Sequence, residues 1–473
     1  MKGDFSTQRF NAGKHYNRVL KQQGRVDLDS DWNEQASIAQ HHERSLILDL
    51  VGPAAGPLQN CGFGLGDAKL DGVTAAAGDF ILQAGRYYVN GLMVENNKAV
   101  SYLSQPSLPT PDKLAVGKSY VAYLDVWERH ITYIEDDSIR EVALGGPDTT
   151  TRVKTVWQVR VLDSPQAATD ANGKLLVSNA AAGVPAGATA PAPSPAAPPA
   201  VSECDAPLQP LLTWKSGTMT ARLQPSDPSD TPCILPPESR YRGLENHLYR
   251  VEIHTAGDTT DPNEVPTFKW SRENGSVVTR WLATTGGTVQ VANARGFSAG
   301  QWVEFTTESD DLMGQPGPLA LITQIDGDVL TVDGPPALAK NAALPKVRAW
   351  DQTSSDTLTL TNGAIAIAPG QQGQLWIPLE DGIEVGFSAG QYRSGDYWLI
   401  TARVATGAID WPADGKGNPL ALPPEGIAHY YAPLFVFDAE DKAPYVSLGK
   451  DCRCRFAPLA CMAVQRTPVD VNP

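Results

Sequence analysis

The 473-residue chain has few charged residues, few cysteines and no long apolar run, and each shortage excludes a class of protein. Charged residues make up 19%, and 38 Lys+Arg against 53 Asp+Glu give a net charge of −15. Because no cluster of Lys or Arg offsets this charge, we expect no nucleic-acid partner. Six cysteines in so long a chain do not indicate a disulfide framework. No stretch approaches the roughly 18 uninterrupted apolar residues of a membrane span.

The opening residues, Met1 to Phe5, also lack the apolar core of a secretory signal. We therefore expect synthesis in the cytoplasm without a signal peptide. Any export would then use another route.

Glycine and proline, by contrast, are abundant, at 42 and 38 residues. They favour many short strands joined by turns over long helices. Dividing the length by roughly 150 residues per domain suggests about three domains. The predicted fold is mainly β, with two β-sandwich or barrel-like regions, an N-terminal arm and one long N-terminal helix.

Residues 1–29 are polar and contain glycines, and they predict an extended arm. The arm carries a basic run of Lys14, Arg18, Lys21 and Arg25. A helix is predicted over 30–52, because Asp31 is a good N-cap, Glu34 has the capping-box spacing and Gly52-Pro53 would end it.

A β domain is predicted over 53–163. Asn90-Gly91 lies between two apolar runs, a pattern typical of a tight hairpin. Tyr120 to Tyr133 and Val153 to Leu162 are rich in aromatic and β-branched residues, which favour long strands.

Residues 164–236 are predicted as a linker region, because 180–200 consist almost entirely of Ala, Pro and Gly. A second β region is predicted over 237–440, with a small barrel at about 286–335, followed by a C-terminal tail over 441–473. The strands predicted in the second region are Leu248–Ile253, Thr267–Trp270, Trp302–Phe305, Val329–Val332, Leu375–Ile377, Asp396–Ile400 and Leu434–Phe437.

The sequence Gly-Phe-Ser-Ala-Gly occurs twice, at 296–300 and at 386–390. A nucleophile elbow would need a strand before the serine and a helix after it. Strand-like sequence follows Ser298 and Ser388 instead, so we interpret both copies as turns and expect no catalytic residues.

Metal ligands are weakly indicated by Cys452, Cys454 and Cys461, for which no fourth ligand is evident. The alternative is reduced thiols packed in a β core. Adjacent His41 and His42 point about 100° apart on a helix and cannot share a metal as residues four apart do. The acidic clusters 135–137 and 308–311 lack the spacing of a calcium loop. We therefore expect no cofactor.

Several longer motifs are similar to those of one family. They are Met1–Ser6, Lys14–Tyr16, Gln22–Asp29, Asp31–Gln35, Asp125–Arg129, Ala143–Thr149, Thr151-Arg152, Trp157–Arg160, Phe268–Gly275, Leu379–Gly382 and Gly395–Trp398. With these motifs the chain resembles an uncharacterised bacterial domain family encoded near phage-tail-like contractile injection systems. The resemblance implies a particle-associated protein and supplies no catalytic residues. In some relatives a parallel β-helix follows, and its repeat is not evident in this sequence.

The leading hypothesis is a non-catalytic structural or adaptor protein of such a particle, in the baseplate or a tail appendage. It would contact other particle proteins, form a homo-oligomer, and become extracellular when the particle is released. The residues expected to dock are Phe5, Phe10, Tyr16, Arg25 and Trp32. One alternative is a cargo protein carried in the tube lumen. Another is a carbohydrate-binding module, for which 11 Trp and 14 Tyr supply candidate stacking platforms.

Overall fold

The computed structural model describes residues 1–144, 148–163, 203–225, 240–355, 358–367 and 375–458. The described chain is mainly β, with several sheets and few helices, which confirms the predicted fold class. The Ala/Pro-rich segment 180–200 and Cys461 lie outside the described residues.

Helices form a small part of the described chain. They are α1 (Asp29–Val51), α2 (Gln209–Leu212) and α3 (Glu308–Met313), with short 3-10 turns at Ala12–Lys14, Tyr102–Ser104, Asp137–Ile139, Val142–Leu144 and Ala206–Leu208. Asp31 was predicted as the N-cap of the first helix, and it lies instead inside the first turn of α1. Carboxylates there still face the positive end of the helix dipole. Among the described helices, none is long and apolar enough to cross a membrane.

The strands of the first half of the chain are β1 (Ala54–Pro57), β2 (Lys69–Leu70), β3 (Val73–Thr74), β4 (Ile81–Leu82), β5 (Gly85–Val89), β6 (Leu92–Asn96), β7 (Val100–Ser101), β8 (Ser119–Ile131), β9 (Arg152–Asp163) and β10 (Met219–Leu223). Those that follow up to residue 350 are β11 (His247–Thr255), β12 (Gly257–Asp258), β13 (Thr267–Ser271), β14 (Val278–Thr285), β15 (Thr288–Val291), β16 (Trp302–Thr306), β17 (Leu319–Asp326), β18 (Val329–Val332) and β19 (Lys346–Trp350). The remainder are β20 (Leu360–Thr361), β21 (Ala364–Ala366), β22 (Ile377–Pro378), β23 (Ile383–Phe387), β24 (Gln391–Tyr392), β25 (Tyr397–Arg403), β26 (Ala408–Asp410), β27 (His429–Ala439), β28 (Val446–Asp451) and β29 (Arg455–Phe456).

The chain divides into two compact units that alternate along the sequence. Unit 1 comprises residues 1–41, 128–154 and 215–428, and unit 2 comprises 42–127, 155–214 and 429–473. The segment predicted as a linker, 164–236, contains β10, and the predicted tail, 441–473, contains β28 and β29. Strand β10 pairs with β23 and β29 pairs with β1, which are distant in sequence and therefore hard to predict locally, whereas β28 pairs with the preceding strand β27.

Unit 1 is built around a six-stranded sheet with the order β20-β21-β13-β11-β25-β26. Its inner face buries large aromatic side chains, among them Tyr249, Trp270 and Trp398. Truncating such a buried aromatic typically costs about 3–5 kcal/mol. The predicted strand Leu375–Ile377 is shorter than expected, because only Ile377–Pro378 pairs with β23.

A closed six-stranded barrel, with the order β14-β15-β18-β17-β16-β19, also belongs to unit 1. It extends from residue 278 to 350 and includes the segment 286–335 for which a small barrel is predicted. Alternate residues of its strands point inward, and Val289, Val303, Leu330 and Val347 form its interior.

Unit 2 contains a four-stranded sheet in the order β28-β27-β8-β9 and a second in the order β29-β1-β5-β6. The predicted hairpin is confirmed, with Val89 opposite Leu92 across a turn at Asn90-Gly91. Both turn residues have positive φ, 48° and 79°, as a tight turn of this type requires.

The cysteines of unit 2 differ from the prediction. Cys204 and Cys452 form a disulfide, so the interpretation of Cys452 as a reduced thiol is wrong. Cys61 is a half-buried free thiol, and Cys454 is an exposed one. The pairing joins residues 248 apart in sequence, and spacing within the Cys-x-Cys motif carries no information about it.

Candidate docking arm and its buried anchor

The first seven residues of the chain, which we call the plug, contact strands β11 and β25 of unit 1. Nζ of Lys2 lies 2.8 Å from Oε1 of the buried Glu252, while 27% of the Lys2 side chain stays exposed. The same ammonium lies 5.4 Å from the ring centroid of Trp350. Burial lowers the pKa of Lys2 to about 8, although Glu252 opposes the shift. Lys2 is thus a partly buried side chain whose ammonium reaches a buried carboxylate.

Lys2 adds to a buried charge cluster made of Arg250, Glu252, Lys269 and Glu304. Arg250 Nε donates to Glu252 at 2.6 Å, and Lys269 Nζ lies 3.5 Å from the same carboxylate. Lys269 also donates to Glu304 at 2.5 Å. Each of these four side chains is at most 4% exposed. Every charge in the cluster therefore has an opposite charge as its direct neighbour.

Electrostatics keep both carboxyls of the cluster ionised. Burial alone would raise the pKa of Glu304, but Lys269 and Lys2 outweigh burial and hold it at about 2. The pKa of Glu252 is likewise held well below its ordinary value by Lys2, Arg250 and Lys269, against the effect of burial. Neither carboxyl changes charge near neutral pH, so ion pairs join the strands and the plug at that pH.

Backbone groups of the plug are bound as specifically as Lys2. Asn274 Nδ2 donates to the carbonyl oxygens of Met1 and Gly3 at 3.0 and 2.9 Å. Arg250 Nη1 donates to the Met1 oxygen at 3.3 Å, and its guanidinium lies 3.6 Å from the ring centroid of Tyr397. Asn274 has φ 50° in the turn between β13 and β14, a conformation that asparagine tolerates.

The end of the plug is held by one apolar and one polar contact. Phe5 packs against the cluster Leu248, Tyr397 and Leu399. The buried Oγ1 of Thr7 lies 3.1 Å from Oγ1 of Thr401. The plug therefore has contacts along its whole length.

Residues 8–28, which we call the connector, are held differently. Their backbone hydrogen bonds are local turns, such as Lys14 N to Asn11 O and Arg25 N to Gln22 O. Two side-chain bonds join the connector to α1: Arg9 to Asp31 at 2.8 Å and Val19 N to Gln35 Oε1 at 2.8 Å. All of these residues are described, and no strand forms among them.

Large apolar side chains of the connector and of the start of α1 face solvent. We call this set the apolar arm surface, and it consists of Tyr16, Leu20, Val26 and Trp32, which are 56%, 71%, 82% and 74% exposed. The connector is also basic, since it contains five Lys or Arg and one acidic residue, Asp27. A basic and apolar ribbon on a chain of net charge −15 is suited to an acidic protein surface.

The residues predicted to dock fall into two groups. Phe5 is packed against its own unit and belongs to the plug. Phe10 lies between the groups, 38% exposed with its ring 5.6 Å from that of His41. The residues that face solvent are Tyr16, Arg25 and Trp32.

Sequence reasoning missed the buried charge cluster. One local signal was present, because Arg250, Glu252 and Lys269 interrupt the apolar pattern of strands β11 and β13. Charged residues in the middle of a buried strand are almost always paired. Their partners in the plug and the barrel, Lys2 and Glu304, are too distant in sequence to be inferred.

The two Gly-Phe-Ser-Ala-Gly segments differ in structure. In the first copy, Gly296 and Gly300 have positive φ directly before β16, and Ser298 N donates to Gln301 Oε1, so the turn interpretation is confirmed. In the second copy, Gly386 and Phe387 end strand β23, and only 388–390 form the bend before β24. There Ser388 Oγ accepts from Thr218 N at 2.8 Å.

Cys452 and two carboxylates of the acidic clusters bind other side chains of the chain. Cys452 is bonded to Cys204, and no group of three or more potential ligands occurs among the described residues. In the two acidic clusters, Glu135 pairs with Lys346 at 2.7 Å and Glu308 pairs with Arg129 at 2.6 Å. These carboxylates therefore form ion pairs with basic side chains of unit 1.

Comparison with known proteins identifies a family. No curated protein and no solved structure matches the chain. A model described as a family of unknown function (DUF6519) matches residues 1–209 and 200–470. Since these matches cover nearly the whole chain, the protein belongs to the DUF6519 family, an uncharacterised domain family.

Proposed function

We propose that this protein is a non-catalytic structural or adaptor component of a phage-tail-like contractile injection particle, in the baseplate or a tail appendage. In this proposal it docks through the connector and the first turns of α1. The sequence motifs support a place in such a particle, through their resemblance to a family encoded near such systems.

The apolar arm surface is the observation that carries the docking role. Tyr16, Leu20, Val26 and Trp32 are each more than half exposed. Aromatic side chains dominate binding energy when a partner buries them. Because the plug fixes one end of the connector and α1 fixes the other, the surface is presented in a limited range of positions.

The charge of the connector narrows the partner to an acidic protein surface. Arg18 and Arg25 are exposed beside the apolar residues. Complementary charge accelerates association and orients the partners. A second copy of this chain, with its net charge of −15, satisfies this requirement, as does any acidic particle protein.

The test is a triple substitution, Leu20→Ser, Val26→Ser and Trp32→Ser, made in the producing bacterium. We expect unchanged thermal unfolding, because these side chains are exposed. The amount of chain per purified particle should fall about tenfold or more, since losing a central interface aromatic commonly costs about 2 kcal/mol. Quantitative immunoblotting of particles measures this amount.

A matched control replaces three other exposed leucines of unit 1, Leu244, Leu282 and Leu375, with serine. Their exposures are 94%, 52% and 51%. The control should enter particles at the wild-type level. Equal incorporation of the two triple variants would refute docking through the arm.

Copy number separates a structural component from cargo in the tube lumen. A structural component should occur in fixed stoichiometry with symmetric density in images of intact particles. If deletion of the gene leaves particle assembly intact and the wild-type chain occupies the tube, the cargo alternative replaces the proposal.

A further inference from the structure

We propose that two copies of this chain exchange their plugs, so that residues 1–7 of one copy bind against the paired strands β11 and β25 of the next. The inference rests on the proposed docking function, because it names a second copy as the partner that the arm reaches. It adds a defined binding site, formed by Glu252, Asn274 and Thr401.

The plug contacts can be transferred unchanged from one copy to another. Lys2 pairs with Glu252, Asn274 binds two plug carbonyls, and Thr7 meets Thr401. None of these contacts depends on which chain supplies the plug. Exchange of an identical element therefore costs little free energy beyond association itself.

The connector is long enough to reach a neighbouring copy. It has about 21 residues, and an extended chain covers about 3.3 Å per residue, which gives a maximum span of about 70 Å. Its two bonds to α1, Arg9 to Asp31 and Val19 to Gln35, are few, and the Arg9–Asp31 pair is exposed. Releasing them costs little, since exposed ion pairs contribute little to stability.

Exchange also explains the composition of the connector. In one isolated copy, Leu20 and Val26 stay 71% and 82% exposed. A connector that crosses to a second acidic copy can bury these side chains and place Arg18 and Arg25 against carboxylates. Those gains favour the exchanged state over the state in which each plug binds its own chain.

Disulfide trapping tests the exchange directly. One chain carries Thr7→Cys and a second carries Thr401→Cys, and the two are co-expressed and treated with oxidised glutathione. Both also carry Cys61→Ser, Cys233→Ser, Cys454→Ser and Cys461→Ser, so that only the Cys204–Cys452 pair remains. Because the two hydroxyl oxygens are 3.1 Å apart, the replacing sulfurs lie within bonding reach.

We expect a covalent dimer of the two chains on a non-reducing gel. Either chain expressed alone should give none, nor should a control pair in which the exposed Thr260 replaces Thr401 as the cysteine site. Adding Lys2→Glu to the first chain should abolish the dimer, because the new carboxylate would face Glu252.

A third variant carries both Thr7→Cys and Thr401→Cys in one chain, and it can give the result that would overturn the proposal. If its two thiols become oxidised without forming any interchain link, and the co-expressed pair gives no dimer, the plug stays in its own chain and exchange is wrong. Light scattering gives a second measurement, since exchange predicts an oligomer that Lys2→Glu converts to a monomer. A wild-type chain that is monomeric at the same concentration contradicts the proposal.

These outcomes are separate from those of the proposed function. Particle incorporation tests the apolar arm surface and leaves the plug intact. Trapping tests the plug in the purified chain and needs no particle. A covalent dimer with normal incorporation of the triple serine variant would support exchange and refute docking through the arm surface.

Discussion

At the scale of single residues, unit 1 encloses ion pairs in a β core. Lys269 and Glu304 are 2.5 Å apart and almost fully buried, and Trp350 Nε1 donates to Glu304 at 3.0 Å. Such a pair is weak evidence for stability as a whole, because burying two charges is costly. Removing one partner is a different matter, since the other charge stays buried and unpaired.

Glu304→Gln therefore should destabilise the chain strongly. The amide keeps the size of the side chain and removes the charge opposite Lys269. We expect the free energy of unfolding to fall by about 3–5 kcal/mol. Urea unfolding followed by tryptophan fluorescence measures this value, with the exposed Glu264→Gln as the control. Similar stability of the two variants would contradict the structural role of the cluster.

His254, whose Nδ1 lies 3.5 Å from Lys269 Nζ, makes the stability of the fold depend on pH in the acidic range. Burial, with help from Lys269, lowers its pKa from 6.5 to about 4. The unfolded chain therefore gains a proton as the pH falls through 6.5, while the folded chain gains it only near pH 4. The contribution of His254 to the free energy of unfolding is fully present above pH 6.5. It is lost as the pH falls towards 4, by about 2 kcal/mol at pH 4.5.

Urea unfolding at pH 7.5 and pH 4.5 measures that loss. His254→Gln should keep only the part of the pH dependence that comes from other groups, such as His130, whose pKa burial lowers to about 3. An identical pH dependence in the variant and the wild type would show that His254 does not carry it.

At the scale of elements, local patterns predicted the structure where it is locally determined. Strands β8 and β9, the hairpin at Asn90-Gly91 and the fold class are confirmed. The turn at Asn362-Gly363, with φ 50° and 84°, gives the same signal and was missed because its strands β20 and β21 are only two and three residues long.

Pairings between segments that are distant in the chain could not be predicted from local sequence patterns. Strand β27 pairs with β8 across about 300 residues, and nothing in either sequence specifies the other. The same holds for the contact between Lys2 and Glu252. In the sequence, Lys2 is one of several basic residues of the arm, and nothing near it indicates Glu252 as its partner. The exposed part of the arm was easier to predict, because glycine-punctuated, polar sequence cannot build a core of its own.

The disulfide between Cys204 and Cys452 stabilises the end of β28 by joining it to a segment 248 residues away in the sequence. Breaking it with Cys452→Ser should lower the free energy of unfolding by about 2–4 kcal/mol, since it closes a long loop. Thermal unfolding of the variant, and of the wild type with reductant, measures the effect. Cys454→Ser removes an exposed free thiol and should match the wild type. A wild-type melting temperature that is insensitive to reductant would contradict this expectation.

At the scale of the whole molecule, the two units alternate along the chain. This bears on limited proteolysis, which we expect to cut first in the Ala/Pro-rich segment 180–200. Strands β8 and β9 precede the cut, and β27 and β28 follow it, although all four form one sheet. The cut chain should therefore elute as one species in size exclusion and give two bands on a denaturing gel. Separate elution of the fragments would contradict the pairing, and an earlier cut within 80–160 would contradict a protected β domain.

The late position of β27 also sets an order for synthesis on the ribosome. Strand β8 ends at Ile131, and its neighbour β27 begins at His429. At about 5–20 residues per second, the earlier strand waits roughly 15–60 s for that neighbour. During this interval a long apolar strand has an open edge, which is the kind of surface that joins other nascent chains. We therefore expect yield to depend on chaperones that bind during translation and shield that edge.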